Sequence, residues 1–274
     1  MFFIKQVSGN RRLPEKKSSA FEEFFLSLIA WDIWFYLGLN DITKKFRRTT
    51  LGHGWVLLGN AIGLTAISVL WSFIFNLGIG YIAYVVFGFL VWGLVSTLVT
   101  KSCDIFHGEF VGIILNSPLP IVVHCLRFCF QHFLNFVMFA PYMILVMFVS
   151  GQYPTVLTGL VFCLSLIVVL ITGLAVSIVF GTIGARYRDF SPLVNALMMP
   201  MMLVTPVMWK KDLAPEAFWL FNPFTHYVDI LREPLLGNYP SVVSIMVCLI
   251  MTGVLVFISY FCYVKYRFKI VGWL

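Results

Sequence analysis

The chain has 274 residues, 60% of them hydrophobic and 11% charged, with a mean hydropathy of +0.93. That balance excludes a soluble globular domain and defines an integral membrane protein. Its 19 Lys+Arg against 12 Asp+Glu reflect the basic residues that membrane proteins gather in cytoplasmic segments, so no nucleic-acid partner is inferred from them.

Residues 1–20 are polar and basic and are expected to be mobile. They carry Arg11, Arg12, Lys16 and Lys17 with no short apolar run behind them, so no cleavable signal peptide is expected. Phe21–Phe46 reads as one helix, rich in aromatic residues but interrupted by Glu22, Glu23 and Asp32. Its apolar length falls short of the roughly 20 residues of a span, which favours an interfacial helix on the cytoplasmic surface. A seventh span through Phe24–Leu39 would bury Asp32 at about 2.5–3.5 kcal/mol. The cationic step Lys44, Lys45, Arg47 and Arg48 follows. Two readings fit it: a topological anchor, or a surface for anionic headgroups or the pyrophosphate of a lipid-linked substrate.

Six spans of workable length come next, near residues 55–77, 79–99, 121–149, 156–181, 193–208 and 242–264. Gly78 makes a tight hairpin of the first two, and Ser150–Pro154 joins the third and fourth. Lys101, Arg186, Arg188, Lys265, Arg267 and Lys269 share a side with the basic N-terminal region, leaving Lys210, Lys211 and Arg232 opposite. The richer side is expected in the cytoplasm with both termini.

The fifth span, 193–208, contains Pro200 and Pro206 and is too short for a hydrocarbon core of roughly 30 Å. The segment after it, Asn222–Gly237, is too polar to cross a bilayer. Asn222 is expected to cap a helix beginning at Pro223 and closed by Pro234. Phe224, Val228, Leu231 and Leu235 would share its apolar face, with His226, Asp229, Arg232 and Glu233 largely on the other. A helical hairpin over 217–236 that enters the membrane part-way would complete the layer beside the short span. Backbone of that kind is tolerated where protein or a water-filled path surrounds it.

The chemistry is sparse. There is no Gly-Lys dipeptide, hence no Walker A phosphate loop. The proposed spans hold no acidic residue, which weighs against a proton-coupled carrier. Arg127 is drawn into the third span, able to snorkel or to pair with a neighbour. His124, Cys125, Cys129 and His132 recur along that helix, but without a chelating motif no metal site is assigned. All the cysteines but Cys103 lie in or beside apolar runs, which argues against a disulfide framework. Within the longest cytoplasmic loop, 101–120, Asp104, His107 and Glu109 alternate with Ile105, Phe106, Phe110 and Val111. The pattern suits a short surface helix whose apolar residues plug a partner's groove, or one lying on lipid.

The combination resembles the membrane subunit of ABC-2 type transporters, in the branch that exports O-antigen, capsule and teichoic acid. The resemblance rests on the N-terminal amphipathic helix running into Asp41–Trp55, on Leu119-Pro120 before the third span, on Ala185–Asp189, and on Asn222–Phe224 through Arg232–Gly237. It implies an all-α membrane protein with six spans. Residues 21–48 would form the interface helix, and 49–274 the transmembrane domain with a cytoplasmic coupling helix and a periplasmic re-entrant hairpin. It further implies a homodimer with two copies of a separate ATPase that binds ATP and Mg, in the bacterial inner membrane among its lipids. The chain itself would hold no cofactor and catalyse nothing. Asp104, Ile105, Phe106, His107, Glu109 and Phe110 would couple to the ATPase. Lys44, Lys45, Arg47 and Arg48 would receive an undecaprenyl pyrophosphate headgroup. Phe224, His226, Asp229, Arg232 and Glu233 would form the periplasmic gate. Tyr81, Tyr84, Trp209, Trp219 and Tyr227 stand where they could face a passing glycan, or belong to an interfacial aromatic belt. The rival functions are export of a drug or small lipid and a membrane-embedded glycosyl- or phosphotransferase. The Asp229/Glu233 pair would serve the latter, although Arg232 beside them favours a structural ion pair.

Overall fold

A computed structural model describes residues 19–45, 52, 54–107, 111–116 and 119–273. The expected mobile N-terminal residues 1–18, and Arg47, Arg48, Glu109 and Phe110 from the expected sites, lie outside the described residues, as does the side chain of Lys45. The described residues contain helices and no strand. Among the described residues, five helical segments are long and apolar enough to cross a membrane: 54–75, 80–104, 121–150, 156–186 and 242–266.

The N-terminal region differs from expectation in one respect. The single helix expected over 21–46 is two, α1 (Ala20–Ile29) and α2 (Trp31–Lys45), separated at Ala30. Ser19 opens α1 with a capping box: its Oγ accepts from the Glu22 N–H at 3.2 Å and the Glu22 carboxylate accepts from the Ser19 N–H at 3.2 Å. The break follows from divided attachments. Glu23 of α1 pairs with Arg267 near the C-terminus, whereas Asp41 of α2 pairs with Arg127.

Helices α3 (Gly54–Phe75) and α4 (Gly80–Thr100) form the expected hairpin, turned through Gly78 at φ +73°. A 3₁₀ turn, Lys101–Asp104, prolongs α4, and a short α5 (Val111–Asn116) follows. The next span is broken into α6 (Ile121–Val137) and α7 (Ala140–Ser150). Pro141 explains the interruption: it lacks an N–H, and its ring would meet the carbonyl of Val137 in a continuous helix. Helix α8 (Val156–Arg186) is the longest, about 46 Å at 1.5 Å per residue. Its first turn is closed by reciprocal bonds between Thr155 and Thr158. Helix α9 (Phe190–Val204) has 15 residues and spans only about 22 Å. After it come α10 (Glu216–Leu220), α11 (Pro223–Leu235) and α12 (Val242–Tyr266).

Helix α4 is the hub, packed against α3, α6, α7, α8, α9 and α11. By contrast α3 leaves Ile62, Leu70, Phe73 and Ile74 exposed, as suits a helix facing lipid or another chain. Small residues permit the closest crossings, since helices in lipid gain from direct backbone approach. On α8, a Cβ at Gly173 would stand 2.9 Å from Leu98 Cδ1, one at Gly181 2.6 Å from Ile105 Cγ2, and one at Gly184 2.1 Å from the Cys103 carbonyl oxygen. The last is backbone and cannot turn aside. Gly184→Val is therefore expected to cost at least about 3 kcal/mol and to abolish the monodisperse peak in size-exclusion chromatography. Gly253→Val should retain that peak, because nothing lies within 4 Å of the added carbon.

Candidate functional site

The polar end of the bundle is built where α9 stops. Thr205 precedes Pro206, and a residue before proline is driven out of the helical region. It takes φ −80°, ψ 135°, and the helix ends at Val204. The chain passes through a 3₁₀ turn, Lys211–Leu213, and α10 before reaching Asn222. Asn222 caps α11 as expected, its Oδ1 accepting from the Phe224 N–H at 3.0 Å. Its Nδ2 donates to Thr205 Oγ1 at 2.9 Å, so one side chain starts α11 and holds the end of α9 beside it.

The two-faced reading of α11 needs correction. Val228, Leu231 and Leu235 are buried, but so are His226, Asp229 and Arg232, each at 1% exposure. These three do not meet solvent because other elements cover them, whereas Glu233 is half-buried. The Arg232 guanidinium donates to the Pro206 carbonyl at 2.5 Å and to Asp229 Oδ1 at 3.0 Å, and its Nε lies 3.6 Å from Glu233 Oε1. It also sits 3.9 Å from the centre of the Tyr84 ring, a cation–π contact. Gly88 makes room for this: a Cβ there would lie 2.7 Å from the Val207 oxygen and 3.5 Å from Arg232 Nη1. The other oxygen of Asp229 accepts from Lys211 Nζ, and from Ser244 Oγ at 3.2 Å. Ser244 Oγ lies 3.0 Å from His226 Nδ1, and His226 Nε2 lies 2.9 Å from the Leu220 carbonyl. Lysine and arginine thus face aspartate and glutamate, and charge is balanced inside the protein.

The aromatic residues proposed as glycan-facing belong to the same assembly. Tyr81 and Tyr227 are buried. The Tyr81 hydroxyl donates to the Met208 carbonyl, and Tyr84 donates to the Trp209 carbonyl at 3.0 Å. Tyr227 shares bonds with Thr172 and Thr252 at 3.3 and 3.2 Å. Trp209 Nε1 donates to the Leu203 carbonyl at 2.9 Å, and Lys211 Nζ lies 4.9 Å from the centre of the Trp219 ring. Sequence reasoning missed Lys211, Ser244, Pro206 and Gly88 as partners. The i, i+3 spacing of Asp229 and Arg232 was the signal for the pair, whereas the others come from three distant segments.

At the opposite end, the residues expected to couple to a partner divide. Ile105 and Phe106 are at 1% and 0% exposure, packed on Gly181 of the chain's own α8, so they do not project as a plug. The physical cause is the glycine notch, which offers them a deeper apolar site than an outer surface would. Asp104 and His107 are half-buried. Lys44 is exposed on the last turn of α2. Arg127 resolves to an ion pair rather than a snorkelling side chain: its Nε donates to Asp41 Oδ2 at 2.5 Å and a second nitrogen to Asp41 Oδ1. Against that helix, a Cβ at Gly38 would stand 3.4 Å from the Arg127 oxygen and 2.8 Å from the Phe130 ring.

These features define a polytopic α-helical membrane protein whose buried charges are matched at both ends of the bundle. The sequence matches the ABC-2 type transporter family over residues 17–236, and the chain belongs to that family of transporter membrane subunits. It is similar to the O-antigen export system permease protein RfbA of Klebsiella pneumoniae, with 25% identity over 251 residues, 87% of this chain and 94% of that protein. It is also similar to the polysialic acid transport protein KpsM of Escherichia coli, with 21% identity over 211 residues, 75% of this chain and 81% of the relative.

Asp229→Asn would leave Arg232 buried with only Glu233, 3.6 Å away, as a counter-charge, and a loss of about 3 kcal/mol is expected. The double variant Asp229→Asn with Arg232→Met should melt above the Asp229→Asn single in a thermal size-exclusion series. A double variant no more stable than the single would show that the pair is not coupled.

Proposed function

We propose that this chain is the transmembrane subunit of an ATP-driven exporter that moves a lipid-linked polysaccharide across the bacterial inner membrane. The observation that carries the reading is the family match over 17–236, joined by relatives named for O-antigen export and polysialic acid transport that align over most of their length. The physical features agree with it. The chain has no Gly-Lys dipeptide for a Walker loop, so ATP and Mg would be bound by a separate ATPase, two copies serving a dimer of this chain.

In this reading residues 49–274 form the transmembrane domain, and α9 is the fifth of six spans. Its length of about 22 Å leaves part of a roughly 30 Å hydrocarbon layer uncovered. Helices α10 and α11 fill that deficit as a re-entrant hairpin on the periplasmic side, with the Arg232 cluster fixing its position. The basic end of the bundle, carrying Lys101, Arg186 and Lys265, faces the cytoplasm with both termini. ATPase docking falls to the half-buried Asp104 and His107 together with Glu109 and Phe110 of the same loop, and Lys44 with its basic neighbours receives the pyrophosphate headgroup.

The acidic pair that a transferase would need is committed otherwise: Asp229 holds Lys211 and Arg232, and Glu233 lies beside Arg232. Deleting the gene is expected to remove the surface polysaccharide, with lipid-linked polymer accumulating inside, and purification under mild detergent should recover an ATPase with the chain. Unchanged surface glycan, or conversion of a lipid-linked sugar by the purified chain without an ATPase, would overturn the assignment.

A further inference from the structure

Two recesses follow one another along α12. The deeper, a cavity of about 210 Å³, lies between α4, α8, α11 and α12, with Leu98, Val176, Phe224, Tyr227, Met251 and Leu255 in its wall. The other is a groove of about 350 Å³ on α12 itself, bordered by Ile258, Phe261, Cys262, Lys265 and Tyr266. Met251, Leu255, Ile258, Cys262 and Lys265 recur at intervals of three or four residues, so one strip of the helix leads from its basic end into the cavity.

The chemistry changes along that strip. In the cavity wall the hydroxyls are already engaged: Thr172 Oγ1 lies 3.3 Å from the Tyr227 hydroxyl and 2.7 Å from Thr252 Oγ1. The other wall residues are apolar, and a buried water needs about two to four polar partners, whereas an apolar cavity of about 150 Å³ already admits a hydrocarbon. At the basic end Lys265 and Lys269 are exposed and make no ion pair among the described residues, while Arg267 between them is taken by Glu23. Phe268 beside them is 56% exposed. From Lys265 to Leu255 the helix rises about 15 Å, the depth of one leaflet of a hydrocarbon core of roughly 30 Å.

We infer that this strip binds an anionic phospholipid from the leaflet at the basic end of the bundle. Its phosphate lies at Lys265 and Lys269, one acyl chain runs along Cys262 and Ile258, and the end of that chain enters the cavity against Phe224 and Tyr227. Charge selects the headgroup, because two exposed ammonium groups attract a net negative lipid and a zwitterionic one brings its own cation. Depth selects a chain that ends near the middle of the membrane. Phe224 and Tyr227 belong to the first turns of α11, so the bound chain ties that helix to α4, α8 and α12. The inference needs the membrane-spanning fold and not the identity of the cargo.

The test uses the full-length protein in mild detergent with phosphatidylglycerol that carries a diazirine near the end of one acyl chain. Irradiation is expected to label peptides containing Phe224–Tyr227 and Met251–Leu255, saturably. Unlabelled phosphatidylglycerol should compete about ten-fold better than phosphatidylcholine, and Lys265→Gln with Lys269→Gln should remove that preference, the scale expected for two basic residues at a membrane surface. Leu255→Trp should fill the cavity and abolish labelling of Phe224–Tyr227; if that variant does not fold, the label map of the parent decides alone. Lys210→Gln, at the other end, should label as the parent does. Label spread evenly over the exposed apolar residues of α3 and α12 would mean annular lipid only and would overturn the site. Equal competition by phosphatidylcholine would overturn it too, as would a prenyl diphosphate that competes better than phosphatidylglycerol.

Discussion

Two guanidinium groups cannot be left bare inside a membrane protein, and much of this structure can be derived from how they are neutralised. Arg127 and Arg232 are each at 1% exposure, and the cost of an unpaired charge at that depth is several kcal/mol. Arg127 meets Asp41 bidentately and so fastens the N-terminal helix α2 to α6. Arg232 meets Asp229, the Pro206 carbonyl and the Tyr84 ring, and so fastens α11 to α9 and α4. Planar guanidinium suits this work better than lysine because its donors diverge in fixed directions and its face stacks on an aromatic ring. In both cases an element too polar to span the layer is held to one that spans it.

Close packing supplies what charge does not. Helix α8 carries glycine at 173, 181 and 184, and at each the neighbouring chain occupies the space a side chain would need. The notch at 181 and 184 captures Ile105, Phe106 and the Cys103 carbonyl, which bends the end of α4 onto α8 instead of leaving it to float on the headgroups. The end of α4 is thereby packed into the bundle rather than left as a free end.

Much of this was legible in the sequence, and the rest was not for definite reasons. Apolar length revealed the long helices, and proline and asparagine fixed the start of α11, because those signals are local; the fifth span was expected to run to 208, past Pro206, whereas α9 ends at Val204. The break at Ala30 was illegible: neither glycine nor proline stands there, and the cause is attachment to two different partners, Arg267 and Arg127. The burial of His226, Asp229 and Arg232 was equally hidden, since helical periodicity shows which residues share a face but not what covers it. Ile105 and Phe106 read as outward plugs for the same reason. Their receptor is a pair of glycines some 80 residues onward, and residues without side chains leave no hydrophobic signal.

The geometry of the Arg232 cluster also constrains how α11 can move. Its bonds are of two kinds. The contact with Asp229 lies within one helix at i, i+3 and travels with it, whereas those to Pro206, Tyr84, Lys211 and Ser244 cross to other segments. A displacement of α11 would break the second set and keep the first, so the guanidinium would never be exposed to the low-dielectric interior without a counter-charge. The cost of such a displacement is then set by neutral and partly exposed contacts, which exchange with water more cheaply than a bare buried ion would. An ion pair contained within one helix, with weaker cross-links to its frame, keeps the buried guanidinium matched in any arrangement that preserves that helix.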